Sequence, residues 1–175
     1  MATPSKSFEL IATDPESWLS QAEQHLYAAR LIADHFGTIA FRSQTEAGIR
    51  VAKLASIKSL SLLLAFVLEN ALKALIIASN ASVVKNGRIY RSEFDGGKSG
   101  HDLVALSKRA NLPGRTEQQD LFRRLTVFAE WAGRYPLPLT ETTYKDSSGN
   151  VTFNWRSDLV LVESTLKEIA DKLRQ

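Results

Sequence analysis

Glu69 and Lys73 lie four residues apart in a stretch that is otherwise almost wholly apolar, Leu60 to Ala78, and Asn70 falls on the same side of a helix. That order, acid before base at i and i+4, favours an ion pair along one helical face. Two accounts fit such a stripe. It is an intrahelical pair that also ties neighbouring helices together, or it is one wall of a polar pocket, because charged groups taken out of water need partners or a solvated cleft. His101, between Gly100 and Asp102, opens a second candidate position. At the start of a helix the dipole disfavours a protonated ring, so a neutral imidazole there can cap, pack, or act as an acid/base contact beside Lys73 or Arg134.

The remaining histidines carry less. His25 sits on the apolar stripe of the first amphipathic segment and reads as a satisfied core histidine, and His35 lies farther along the same segment. No His-x-x-x-His pair and no cysteine is present, so neither a zinc motif nor thiolate chemistry is expected, and no metal or other cofactor is expected. The run Gly96-Gly97-Lys98-Ser99-Gly100 lacks the spacing of a phosphate-binding loop and has no buried strand before it.

The elements that must hold these residues are mostly helical. Asp14-Pro15-Glu16 is a helix start, with a capping carboxylate, a proline suited to the first turn and an acid at the positive end of the dipole. The apolar stripe Trp18, Ala22, Leu26, Ala29, Ile32 or Ala33, and Phe36 follows at spacings of three and four, with Gly37 the expected stop. After a linker over 38–44, a long central helix is predicted from Thr45 to about Ser79, buried on most sides from about Ser61. Asn86-Gly87 between two β-prone runs predicts a tight hairpin over 82–91, and 95–100 reads as a loop. A short helix near 102–110 and a longer one near 116–133, with stripe Leu121, Leu125, Phe128 and Ala132, come next, closed by Pro136 and Pro138. The alternation of Val151, Phe153 and Trp155 after the turn-forming residues 146–150 predicts a second hairpin over 143–155. A last helix from Ser157 or Asp158 buries Leu159, Val162, Leu166, Ile169 and Leu173. The fold class expected is therefore all-α, a four- to five-helix bundle around a long central helix with one or two small β-hairpins, in a single domain over 1–175.

Composition agrees with that reading. The chain has 175 residues, enough for one core, and is 44% apolar. Its start has no apolar run of signal-peptide length, and the charges in 60–78 speak against a membrane span, so a cytoplasmic protein away from membranes is expected. A net charge of +3 tolerates a nucleic-acid partner without requiring one. The segment from Lys108 to Arg134, with Arg109, Arg115, Arg123 and Arg124, is the most basic face, though a solvated helix surface explains it as well.

Leu68-Glu69-Asn70-Ala71-Leu72-Lys73-Ala74-Leu75, then Gly100-His101-Asp102-Leu103 with Leu106, then Arg134-Tyr135-Pro136, together resemble the HEPN superfamily (higher eukaryotes and prokaryotes nucleotide-binding). The resemblance spans about 60–136. It implies a bundle of four or five helices that commonly dimerises, occurring as toxin ribonucleases, as partners of nucleotidyltransferases and as noncatalytic modules. It also implies that Glu69, Lys73, His101, Asp102, Arg134 and Tyr135 gather where the helices converge, with Asn70 beside them, as a polar network or a small ligand site. Catalytic members carry Arg-x(4–6)-His late in the bundle. The match here, Arg30 to His35, lies in the first long helix, and its two side chains are turned roughly 140° apart at about 100° per residue. The implied function is a homodimeric binding or interaction module for a nucleotide, an RNA or a partner protein. The alternatives are a metal-independent ribonuclease using His101 with Arg134 or Lys73, and a purely structural partner subunit.

Overall fold

A computed structural model describes residues 6–41, 45–79, 83–90, 92–95, 100–135, 138, 140–147 and 152–175. The helices are α1 (Lys6–Thr13), α2 (Pro15–Phe41), α3 (Glu46–Ala78), α4 (Ser92–Asp95), α5 (Leu103–Arg109), α6 (Thr116–Val127), α7 (Glu141–Ser147) and α8 (Trp155–Leu173). A π-helical turn, Phe128–Ala132, prolongs α6, and two strands, β1 (Val84–Lys85) and β2 (Arg88–Ile89), form a hairpin. The chain is thus an all-α bundle with one small antiparallel hairpin among the described residues.

Local chemistry accounts for four of the helix starts. The Asp14 carboxylate accepts from the backbone amides of Glu16 and Ser17 at 3.2 and 3.0 Å, and Pro15 occupies the first turn of α2. Thr45 Oγ1 accepts from the Gly48 amide at 3.1 Å and starts α3. Asp102 Oδ1 accepts from the Ala105 amide at 3.0 Å and starts α5, while the Gln118 side chain accepts from the Arg115 amide at 2.8 Å at the head of α6. In the hairpin Val84 pairs with Ile89 and Lys85 with Arg88. Asn86 and Gly87 both take positive φ, 51° and 70°, as a two-residue turn of this hand requires.

α3 is the axis of the bundle. Leu60, Leu64, Leu68, Leu72 and Ile76 are fully buried, and α2, α5, α6, the π-helical turn and α8 all pack on it. α2 runs antiparallel to α3, since His25 meets Phe66 while Trp18, earlier in α2, meets Lys73, later in α3. α8 runs antiparallel to α2, with Trp155 stacked on Phe36 and Glu163 bonded to Arg30. Buried Gln118 joins α6 to α8 through Thr165 Oγ1 at 3.1 Å. α3 is the described helix long and apolar enough to cross a membrane, and 72% of its most apolar window is buried by these neighbours, so packing explains its composition.

Several expectations are corrected. Gly37 does not end α2, which runs on to Phe41. A glycine inside a helix costs only about 1 kcal/mol, and the packing of α2 along α3 outweighs that. Among the described residues no second hairpin forms: 143–147 belong to α7, whose last residues are the turn formers that suggested a loop, and 148–151 lie outside the described residues. Asp95 ends the short α4 instead of opening a loop, while 96–99 and Pro136 lie outside the described residues. α1, α4 and α7 were not anticipated from the sequence.

The π-helical turn brings Gly133 against the central helix. A β-carbon there would lie 2.8 Å from the Phe128 carbonyl oxygen and 2.9 Å from Leu62 Cβ. Since neither the Phe128 backbone nor the Leu62 Cβ, fixed to its own helix backbone, yields cheaply, Gly133→Ala is expected to destabilise the fold by about 1–3 kcal/mol in denaturant unfolding. An unchanged midpoint would show that the turn relaxes freely.

Candidate functional site

Glu69 is the centre of the polar stripe. Its Oε1 accepts from Lys73 Nζ at 2.5 Å and its Oε2 lies 2.8 Å from His101 Nδ1. A carboxylate can only accept, so Nδ1 carries the hydrogen of that contact. Both members of the helical pair are buried, with side chains 8% and 9% exposed for Glu69 and Lys73. Lys73 Nζ lies 5.1 Å from the ring centre of Phe94 and 5.7 Å from that of Trp18, and those two rings are 5.5 Å apart. The ammonium is therefore held by one carboxylate and two π faces.

Electrostatics follow from this arrangement. Burial pushes the Glu69 carboxyl up, but the hydrogen bond from His101 and the attraction and hydrogen bond of Lys73 together outweigh it, and its pKa falls below the ordinary value. Burial pulls the His25 ring down, opposed by the charge of Glu69. His25 packs its ring 5.5 Å from Phe66 and bonds to Gln21 Nε2 at 3.1 Å; it is satisfied, but only partly buried and not in the core where the stripe placed it.

The remaining site residues divide. Asp102 is the N-cap of α5, next to His101. Asn70 donates through Nδ2 to the Phe66 carbonyl at 2.8 Å and does not bond to Glu69 or Lys73. Arg134 is drawn to its own helix, donating to the carbonyls of Ala129 and Glu130 at 2.5 and 2.9 Å, with Tyr135 half-exposed beneath its guanidinium. No hydrogen bond, ion pair or ring contact joins Arg134 or Tyr135 to Glu69, Lys73 or His101 among the described residues. Arg30 bonds to Glu163 at 2.7 Å and His35 Nδ1 to the Leu31 carbonyl at 2.9 Å, so that pair does not converge on a common point either. Among the described residues no cluster of three or more His, Asp and Glu is placed to hold a metal ion.

Two features escaped the sequence reading. Trp18 and Phe94 flank Lys73, although Trp18 reads as an ordinary stripe residue and Phe94 sits in a segment with no periodicity. Between α6 and α8 lies a groove of about 870 Å³ whose walls include Arg123, Arg124, Arg156, Asp158 and Val160. At its base Arg124 makes a two-pronged pair with buried Asp158, at 2.8 and 2.9 Å, and also bonds to Asp120 at 3.0 Å. The Asp120–Arg124 spacing is visible in the sequence; the contact to Asp158 is not. Compared with protein-family models, curated proteins and solved structures, the chain finds no match.

Removing Glu69 leaves a buried ammonium with only ring faces, so Glu69→Ala is expected to cost about 3–5 kcal/mol in denaturant unfolding. Lys73→Met should cost clearly less, because the stem still fills the space between Trp18 and Phe94 and Glu69 keeps His101. Equal losses would contradict this asymmetry.

The acid response has a definite sign. The folded-state pKa of Glu69 lies below the unfolded value of about 4.3, so its contribution is complete above that value and is lost as pH falls through the folded pKa. Stability measured from about pH 6 downwards should therefore fall more steeply in the wild type than in Glu69→Gln. Parallel curves would refute the assignment.

Proposed function

We propose that this chain is a noncatalytic interaction module of the HEPN type, cytoplasmic and homodimeric, that engages an RNA, a nucleotide or another protein through the outer faces of its helices. The observation that supports this reading most directly is the mutual commitment of the residues best suited to chemistry. Glu69 accepts from both Lys73 and His101, Lys73 is enclosed by two rings, and Arg134 is turned onto its own helix end. A metal-independent ribonuclease needs a histidine and a cation converging on one phosphate. No contact joins His101 to Arg134 among the described residues, and Lys73, which does meet His101 through Glu69, is buried and enclosed by Trp18 and Phe94.

Charge for a polyanion lies on the outside instead. Arg50, Lys53 and Lys58 are exposed along the first turns of α3, and among the described residues they make no ion pair with a carboxylate. Arg123 is half-exposed and only 4.0 Å from Asp120, and Arg156 rests on the Trp155 ring. Such cations bind a phosphate backbone with little sequence preference and with strong salt dependence. A purely structural subunit is the second reading, favoured by the burial of Glu69 and Lys73, whose side chains are enclosed by their neighbours.

Purified protein incubated with a labelled RNA pool in the presence of a chelator, beside His101→Ala and His35→Ala, separates these readings. The outcome expected is intact RNA whose mobility is retarded at low salt and released as salt rises. Cleavage abolished in either histidine variant would overturn the noncatalytic reading. Intact RNA without retardation would favour the structural one.

A further inference from the structure

A second, smaller cleft, of about 230 Å³, has Trp18 in its wall where α1, the start of α2, α3 and the hairpin meet. Phe8, Ile11, Trp18, Gln21, Asn70 and Ile89 are among its walls. Its rim is apolar and wet: Phe8 is 38%, Ile11 62% and Ile89 37% exposed. Exposed apolar side chains gathered around a concavity mark a place where something apolar is bound.

The polar groups in the wall narrow the choice. Ser17 donates its hydroxyl to Asp14 Oδ2 at 2.6 Å, and the Gln21 amino group is taken by His25. The Phe66 carbonyl can only accept, so the amino end of the Asn70 amide must face it and the oxygen is the end left over. Among the described residues no donor reaches Asn70 Oδ1. The cleft therefore offers a fixed acceptor on a half-buried helix side chain, beside a tryptophan ring whose orientation is set by its own bond from Nε1 to the Ala12 carbonyl at 3.0 Å.

We infer that this cleft binds a planar bicyclic heteroaromatic ring bearing one N–H, of the indole class, which packs against Trp18 and donates to Asn70 Oδ1. The volume is below the roughly 300–1,000 Å³ of drug-sized sites, which restricts the occupant to one small ring system. An aromatic ring gains from the Trp18 face, and its N–H satisfies Asn70 Oδ1, the acceptor on the half-buried wall; Gln21, whose oxygen is also left over, is exposed to water. A purine fits less well, because its several edge donors and acceptors would meet Ile11, Ala12 and Ile89 without partners. An alkyl chain has no donor for Asn70. The ring belongs either to a free small molecule or to a tryptophan side chain of a peptide, and the inference is independent of whether the chain binds RNA.

Ligand-observed NMR titrations with indole, 1-methylindole, adenine and a short peptide containing a single tryptophan test it. The wild-type protein should bind indole about tenfold more tightly than 1-methylindole, the effect of one hydrogen bond. Asn70→Leu, similar in size, should abolish that preference. Ile11→Arg, at an exposed rim position that does not endanger folding, should weaken indole by about tenfold. Tighter binding of the peptide than of free indole would support the site and assign its ring to a partner chain; the reverse would support it and assign a free ligand. No binding at millimolar indole, equal affinity for indole and 1-methylindole, tighter binding of adenine, or affinity unaffected by Ile11→Arg would each overturn it.

Discussion

A carboxylate on the most apolar helix of the molecule must receive a donor at each oxygen, and this requirement reaches well beyond Glu69. Lys73 supplies the first donor from the next turn of α3, which needs no tertiary structure. His101 supplies the second from a segment that must be brought back to the middle of α3. Gly100 makes that approach with φ at 79°, a conformation open to glycine, and Asp102 starts α5 immediately afterwards. The ammonium of Lys73 in turn lies against Trp18 from α2 and Phe94 from α4. One buried charge pair thus registers α2, α3, α4 and the entrance to α5 against one another.

What was legible in the sequence follows the range of the interactions involved. α2, α3, α5, α6 and α8 are visible because each carries a repeated apolar stripe or a capping residue, signals contained within the element itself. The hairpin was visible for the same reason, since Asn86-Gly87 dictates its turn. α1, α4 and α7 have 8, 4 and 7 residues, too short to be stable alone, and they exist because something else holds them. Ala12 of α1, for instance, is buried and its carbonyl accepts from the indole of Trp18. The π-helical turn has no sequence signature, and its close packing of Gly133 on Leu62 is visible only in three dimensions. The false hairpin arose from three alternating residues, Val151, Phe153 and Trp155, a pattern short enough that Trp155 could open α8 instead.

The same rule governs the site. The Glu69–Lys73 pair is an i,i+4 contact and could be read directly, whereas the partnership with His101 entered only through the order of motifs along the chain. Arg134 illustrates the opposite case. Its placement two residues past the π-helical segment aims the guanidinium at the carbonyls of that helix end, a local demand that draws it away from the polar centre. Arg124 and Asp158, 34 residues apart, make a well-formed pair that no local pattern announces.

Asn70 is next to Glu69 in sequence but turns to a different task, bonding along its own helix and lining the cleft beside Trp18. Trp18 is consequently shared, touching the charged network through Lys73 and the cleft through the same side chain. A change at Glu69 or Lys73 acts on the cleft by loosening that shared wall, so weaker ligand binding in such a variant does not mean that either charge touches the ligand. A side chain outside the network, such as Ile11, has no comparable route to the fold. Where a Glu69 variant loses stability and binding together while an Ile11 variant loses binding alone, the physics assigns the first residue to architecture and the second to recognition.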